Sequence, residues 1–403
     1  MSTPALYRNV GVLAAAQVLF FMGNTIMMST SSLVGLQLAP SPAMATVPLG
    51  LQFFGTMVTT FPASLLMRRI GRRGGFLIGT ASCAAGGTLA ALAVLRASFP
   101  LFCLGSFLYG VFAAFAQYYR FAAADAGEQA PLERRSATRA RAISWVMAGG
   151  VVAAVAGPEL ARATRELFPP YLFAGSYLAV AALGLVGLVV VSLLRLPRPH
   201  LAPGAGHGPP LAAILRRPAV RTAILTAILA YVTMNLLMTA TPLAMLACGH
   251  AFSDTARVIQ AHVLGMFAPS FVTGHLIARF GSPRIILTGA LLTTGCVLVA
   301  LSGVEVTRFA LALFLLGVGW NFMFIGATSL LTEHHDAAEK AKVQGFNDLA
   351  MFTAVTLSAT SSGALHDLLG WSALNLLALP ALLVVAMSVL GLARAVPARS
   401  SAG

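Results

Sequence analysis

Two methionines one helical turn apart, Met234 and Met238, sit in a long apolar stretch, and in the next such stretch His262 and Met266 repeat the step of four. Residues four apart return to nearly the same face of a helix, so each pair presents its lone pairs together. Met245 extends the first column by a further seven residues, and Cys248 and His250 follow just beyond it. Thioethers are neutral and soft. Beside an imidazole they suit Cu(I) better than any hard cation, and no carboxylate or thiolate cluster stands near to favour magnesium, calcium or zinc. Met22, Met27 and Met28 offer more sulfur near the start of the chain. The plainer alternative is packing, because methionine is a common filler of apolar cores. On the ligand reading the chain carries copper as a transported ion and needs no prosthetic group.

Other reactive side chains are sparse. Asp348 and Arg120 lie inside apolar stretches, where charge is costly and often functional, and are candidates for proton coupling or gating. Glu159, after Gly157-Pro158, suits an interfacial position, as do His275 and His366. Cys83, Cys103, Cys248 and Cys296 form no C-x-x-C pair, which argues against a disulfide framework or a zinc knuckle. Glu333-His334-His335-Asp336 resembles a release site, but Asp336 with Glu339 makes a helix-capping pair, which is the favoured reading. No phosphate-cradling glycine loop and no nucleophile with a base at useful spacing occurs, so an enzyme is not expected.

Helices in lipid must position these groups. Of 403 residues, 58% are hydrophobic and only 9% charged, against about a quarter charged in soluble domains. That composition excludes an ordinary cytosolic enzyme, a secreted disulfide scaffold and a nucleic-acid-binding protein. Twelve apolar runs can each span the bilayer: near 8–36, 43–67, 75–95, 99–122, 140–162, 171–194, 219–246, 255–279, 284–303, 308–331, 342–365 and 371–394. With both termini cytoplasmic, 21 of the 26 Lys and Arg fall on the inner side, as the positive-inside rule requires, so the net charge of +14 orients the chain in a bacterial inner membrane. The first span reads as a retained anchor.

Depth along the spans places Met234, Met238, His262 and Met266 at overlapping levels between the midplane and the outer half. The halves repeat. Arg69 and Gly71 match Arg279 and Gly281, 210 positions on, and at nearly the same offset Gly55 matches Gly265, Gln52 matches His262, and Asn24 with Met27 matches Asn235 with Met238. Residues 195–218, rich in Pro, Gly and His, read as a linker between bundles 1–194 and 219–403.

With its six-plus-six spans, long central loop and Gly/Arg turns, the chain resembles the major facilitator superfamily over nearly its whole length. The resemblance implies two pseudo-symmetric six-helix bundles enclosing a central cavity, lined by spans 1, 4, 7 and 10, and alternating access by rocking. It implies gating roles for Arg69 and Arg279, although Arg68 and Ala278 replace the acidic residue usual before each turn glycine. The paired motifs in spans seven and eight resemble the CcoA-type copper importers of that superfamily. That likeness implies copper ligation by Met234, Met238, His262 and Met266, with Met245, Cys248 and Met27 secondary. It further implies import for haem–copper cytochrome oxidase assembly by a monomer that passes copper to a cytoplasmic acceptor. Two alternatives stand beside it: a proton-coupled drug or organic-metabolite carrier working through Asp348, and a copper-binding receptor that moves nothing.

Overall fold

The computed structural model describes residues 3–127, 132–196, 209–335 and 339–395, and all regular structure among them is helical. Hydrocarbon offers the backbone no hydrogen-bond partners, so a chain this apolar satisfies its amides within helices. The first half contains α1 (Thr3–Leu38), α2 (Val47–Leu95), α3 (Phe99–Ala116), α4 (Tyr119–Gly127), α5 (Leu132–Thr164) and α6 (Ala174–Ser192). After the short α7 (Leu211–Leu215) come α8 (Pro218–Ala247), α9 (Phe252–Phe267), α10 (Ser270–Phe280), α11 (Ser282–Leu301), α12 (Val306–Glu333), α13 (Lys340–Leu376) and α14 (Ala378–Ala395). Pro48, Pro100, Pro218 and Pro283 stand in the first two positions of their helices, where a missing N–H costs nothing.

Among the described residues, eight stretches are long and apolar enough to cross a membrane, and the bent pair α9–α10 makes a ninth. Two of the eight, Pro42–Leu95 and Lys342–Leu392, have the length of two crossings each. They are broken at Gly71 (φ 84°) and Gly370 (φ 73°), backbone conformations that an L side chain resists. The more polar α5 completes the twelve-span major facilitator fold expected from the sequence. Residues 197–208 of the linker and the C-terminal residues from 396 on lie outside the described residues.

The internal repeat survives in three dimensions. Gly71 and Gly281 adopt the same rare backbone, φ/ψ of 84°/160° and 82°/151°, each ending a helix beside an arginine. A methyl group on Gly110 would strike the Gln52 carbonyl, and one on Gly317 would strike the His262 carbonyl. Gly55 against Phe107 is likewise repeated by Gly265 against Phe314. Two hydrophobic cores follow the two halves. One is built almost wholly from residues before 200, the other almost wholly from residues after 210.

The halves close on each other around the short 3-10 helix Pro42–Met44. Buried Thr46 donates its hydroxyl to Thr360 O at 3.0 Å and accepts from the Gly363 N–H at 2.9 Å. Gly50 lies flush against Thr360, with no room for a Cβ. Near the opposite, arginine-rich end, Arg217 forms a two-pronged ion pair with buried Glu339, both contacts 2.8 Å. Glu339 is therefore engaged by Arg217 and makes no side-chain cap for α13, and its expected capping partner Asp336 lies outside the described residues.

Candidate functional site

Between the halves lies a cavity of about 220 Å³. Its lining runs from Asn24, Met28 and Met238 at mid-helix to Arg120, Phe121 and Asp348, toward the end that carries Arg68–Arg73. Asn24 and Gln52 reach it from α1 and α2, Arg120 from α4, Tyr231, Met234 and Asn235 from α8, Trp320 and Phe324 from α12, and Asp348 from α13.

The second-half wall is aromatic. Trp320 and Phe324 stack with ring planes 10° apart and centroids at 5.0 Å, and Tyr231 meets both edge-on at 5.1 and 5.2 Å. The step of four from Trp320 to Phe324 puts the two rings on one face of α12. Phe267 contributes a further ring, 4.8 Å from Phe21 across the two halves. The first-half wall is rich in amides and hydroxyls: Asn24, Thr25, Gln52, Thr56, Thr60 and Gln117. Gln52 donates to Asn24 Oδ1 at 3.1 Å. Methionine fills the remaining surface through Met28, Met234, Met238, Met266 and Met351.

Among the described residues, two charges face this space. The Arg120 guanidinium lies 4.9 Å from the Phe121 ring centroid, and Asp348 accepts from Asn347 at 3.2 Å. With one charge of each sign the cavity suits a solute that is neutral overall.

The structure separates the residues singled out by sequence. Met234, Met238 and Met266 line the cavity, together with Arg120 and Asp348. His262 does not. It is wholly buried, its Nδ1 is 2.8 Å from Leu313 O, and its Nε2 has no partner among the described residues. Met245 and Met27 are buried in the two cores outside the cavity, and Cys248 is exposed at the end of α8. Of Met22, Met27 and Met28, only Met28 reaches the lining. Arg69 and Arg279 are exposed beside the Gly71 and Gly281 turns, and Glu159 pairs with Arg162 at 2.7 Å on the surface. Among the described residues no three His, Cys, Asp or Glu side chains gather where they could hold a metal ion. Sequence reasoning missed the aromatic platform and the Gln52–Asn24 pair, although the Trp-x-x-x-Phe step was visible.

Comparison with known proteins places the chain. The profile of the Major Facilitator Superfamily matches residues 13–347 and 258–402. The riboflavin transporter RfnT of Brucella anthropi is 43% identical over 383 residues, covering 94% of each chain. An uncharacterised major-facilitator-type transporter of Bacillus subtilis, YdeG, is 29% identical over 90% of this chain and 85% of its own. Among solved structures, a D-xylose–proton symporter superposes with a TM-score of 0.71 at 13% identity, covering 94% of this chain and 97% of its own. An auto-inhibited peptide transporter gives 0.68 at 14%, covering 98% of both chains.

These findings overturn the expectation of copper import, and with it the copper acceptor and the link to cytochrome oxidase assembly. A relative sharing 43% of its residues along nearly the whole chain carries an organic vitamin. The histidine on which the metal reading leaned also turns away from the cavity toward Leu313. A short Met-x-x-x-Met and His-x-x-x-Met arises readily in methionine-rich packing. The profile match, the 43% identical relative and the apolar spans agree: the chain is a multi-pass membrane protein belonging to the major facilitator superfamily.

Proposed function

We propose that the protein is a secondary transporter of a small, planar organic metabolite of the riboflavin type. One observation carries this reading beyond the likeness to the riboflavin transporter: the central cavity pairs a flat aromatic wall with an amide-rich one. Aromatic faces hold a flat heterocycle by stacking, and amides match the donors and acceptors on its edge. Met234, Met238 and Met266 then act as a soft, adaptable wall that packs against whatever ring substituents enter.

Asp348 is the proposed coupling carboxylate, with Arg120 as the charge that tunes it, and Arg69 and Arg279 flank the turns on which the halves pivot. The proposed organisation is a first bundle to residue 194, a linker over 195–218 and a second bundle from 219. The arginine-rich end, including both termini, faces the cytoplasm of a bacterial inner membrane, as the distribution of cations favours. The protein acts as a monomer, with lipid around it and no nucleic acid partner.

Growth of a riboflavin-auxotrophic bacterium at limiting riboflavin tests the reading. Expression of this chain lowers the riboflavin needed for growth, and growth identical to that of the empty vector would overturn it.

A further inference from the structure

The Gln52 side chain is only 1% exposed, and its Nε2 is committed to Asn24 Oδ1 at 3.1 Å. Its Oε1 has no hydrogen-bond partner among the described residues, yet Gln52 belongs to the cavity lining. Buried amide oxygens are nearly always paired, so a bare one at a cavity wall is an atom waiting for a solute. Asn24 Nδ2, in the same lining, donates to no described residue. An amide pair joined by one hydrogen bond keeps an NH2 group and a carbonyl oxygen free, one on each residue, and turning both amides over only exchanges which residue supplies which.

An imide edge, C=O beside N–H, is the complement of that pair. A planar heteroaromatic with such an edge satisfies both amides at once while its face rests on the Trp320–Phe324 stack of the other half. We infer that Gln52 and Asn24 read the imide edge of a planar heteroaromatic solute in the central cavity, an assignment that rests on the transport reading above. The repeat sharpens it. At the matching position in the second half His262 is tied to Leu313 O and is absent from the lining, so the edge-reading pair occurs once. The solute therefore sits in one orientation, its edge on the first half and its face on the second. It bridges the two parts that must move.

Counterflow of radiolabelled riboflavin in proteoliposomes tests this, with competition by riboflavin, by N3-methylriboflavin, which has lost the imide N–H, and by lumichrome, which keeps the imide but lacks the sugar chain. In the wild-type protein N3-methylriboflavin competes at least about tenfold more weakly than riboflavin, and lumichrome still competes, because a site built to hydrogen-bond a group rejects the analogue without it. Gln52→Leu and Asn24→Ala each weaken riboflavin about tenfold and bring the methylated and unmethylated flavins level. Both variants are first checked for a monodisperse elution profile, and either one alone suffices for the comparison. Equal competition by the two flavins in the wild-type protein, or undiminished discrimination in both variants, would overturn the edge-reading assignment while leaving flavin transport intact. Absence of any riboflavin counterflow would overturn both the assignment and the reading beneath it.

Discussion

Gln52 and His262 stand 210 positions apart in the chain and at the same place in the two halves, each with its backbone carbonyl pressed against a glycine of the neighbouring helix, Gly110 and Gly317. Their side chains have diverged. The Gln52 amide lines the central cavity beside Asn24, whereas the His262 ring is turned to Leu313 O and sealed away. The duplicated scaffold thus offers two equivalent positions and uses one of them for the solute.

His262 is accordingly a packing residue. His262→Gln keeps riboflavin transport within about twofold of wild type, while His262→Ala lowers the melting temperature through a lost buried hydrogen bond, worth about 0.5–1.5 kcal/mol. Uptake assays beside thermal unfolding in detergent check this. Loss of transport in a well-folded His262→Gln protein would contradict it.

Asp348 faces the cavity, as Arg120 does, and is the one acidic group in its lining among the described residues. Asp348→Asn abolishes accumulation driven by a proton gradient but leaves exchange of labelled for unlabelled solute, since binding and rocking persist without the titrating group. Accumulation that still follows the gradient in Asp348→Asn would remove the residue from coupling.

Closure opposite the arginine-rich end depends on Gly50 lying against Thr360 and on the two hydrogen bonds of Thr46. Forcing a methyl group into that contact costs about 1–3 kcal/mol. Gly50→Ala therefore shifts the population toward the state open at that end by about five- to a hundred-and-fiftyfold. Maleimide labelling of a cysteine introduced as Thr25→Cys, reached from the Thr46 side, rises in the Gly50→Ala background. Unchanged labelling would show that the contact does not gate.

Asn321 holds the break between α9 and α10. It donates to Met266 O and to Ser270 Oγ, both at 2.7 Å, and accepts from Thr273 at 2.7 Å. Asn321→Leu removes three hydrogen bonds at once, each worth about 0.5–1.5 kcal/mol. A drop in melting temperature larger than that of His262→Ala is expected from the same unfolding assay.

Most of the fold was legible because lipid imposes a simple rule. Spans of the right length, glycines at 71 and 281, and arginines gathered on alternate loops leave little freedom in a chain with 9% charge. The site was legible only in part. Arg120, Asp348, Met234, Met238 and Met266 stand out by type or spacing and do reach the cavity. Trp320, Phe324 and Tyr231 did not stand out, since aromatics in an apolar helix look alike whether they face lipid, core or solute. His262 misled for a related reason. Periodicity gives the face of a helix, but the Leu313 carbonyl on another helix decides where the ring points.

The central claim is that a flat organic solute rests on the Trp320–Phe324 platform between the two halves. Saturable entry of radiolabelled riboflavin into proteoliposomes, compared between the wild-type protein and Trp320→Ala, tests it most directly. Loss of one stacking surface costs about 1–3 kcal/mol, so the half-saturating concentration rises by about five- to a hundred-and-fiftyfold with the protein intact. Wild-type proteoliposomes that take up no more riboflavin than empty ones, or a Trp320→Ala protein that transports it unchanged, would contradict the claim.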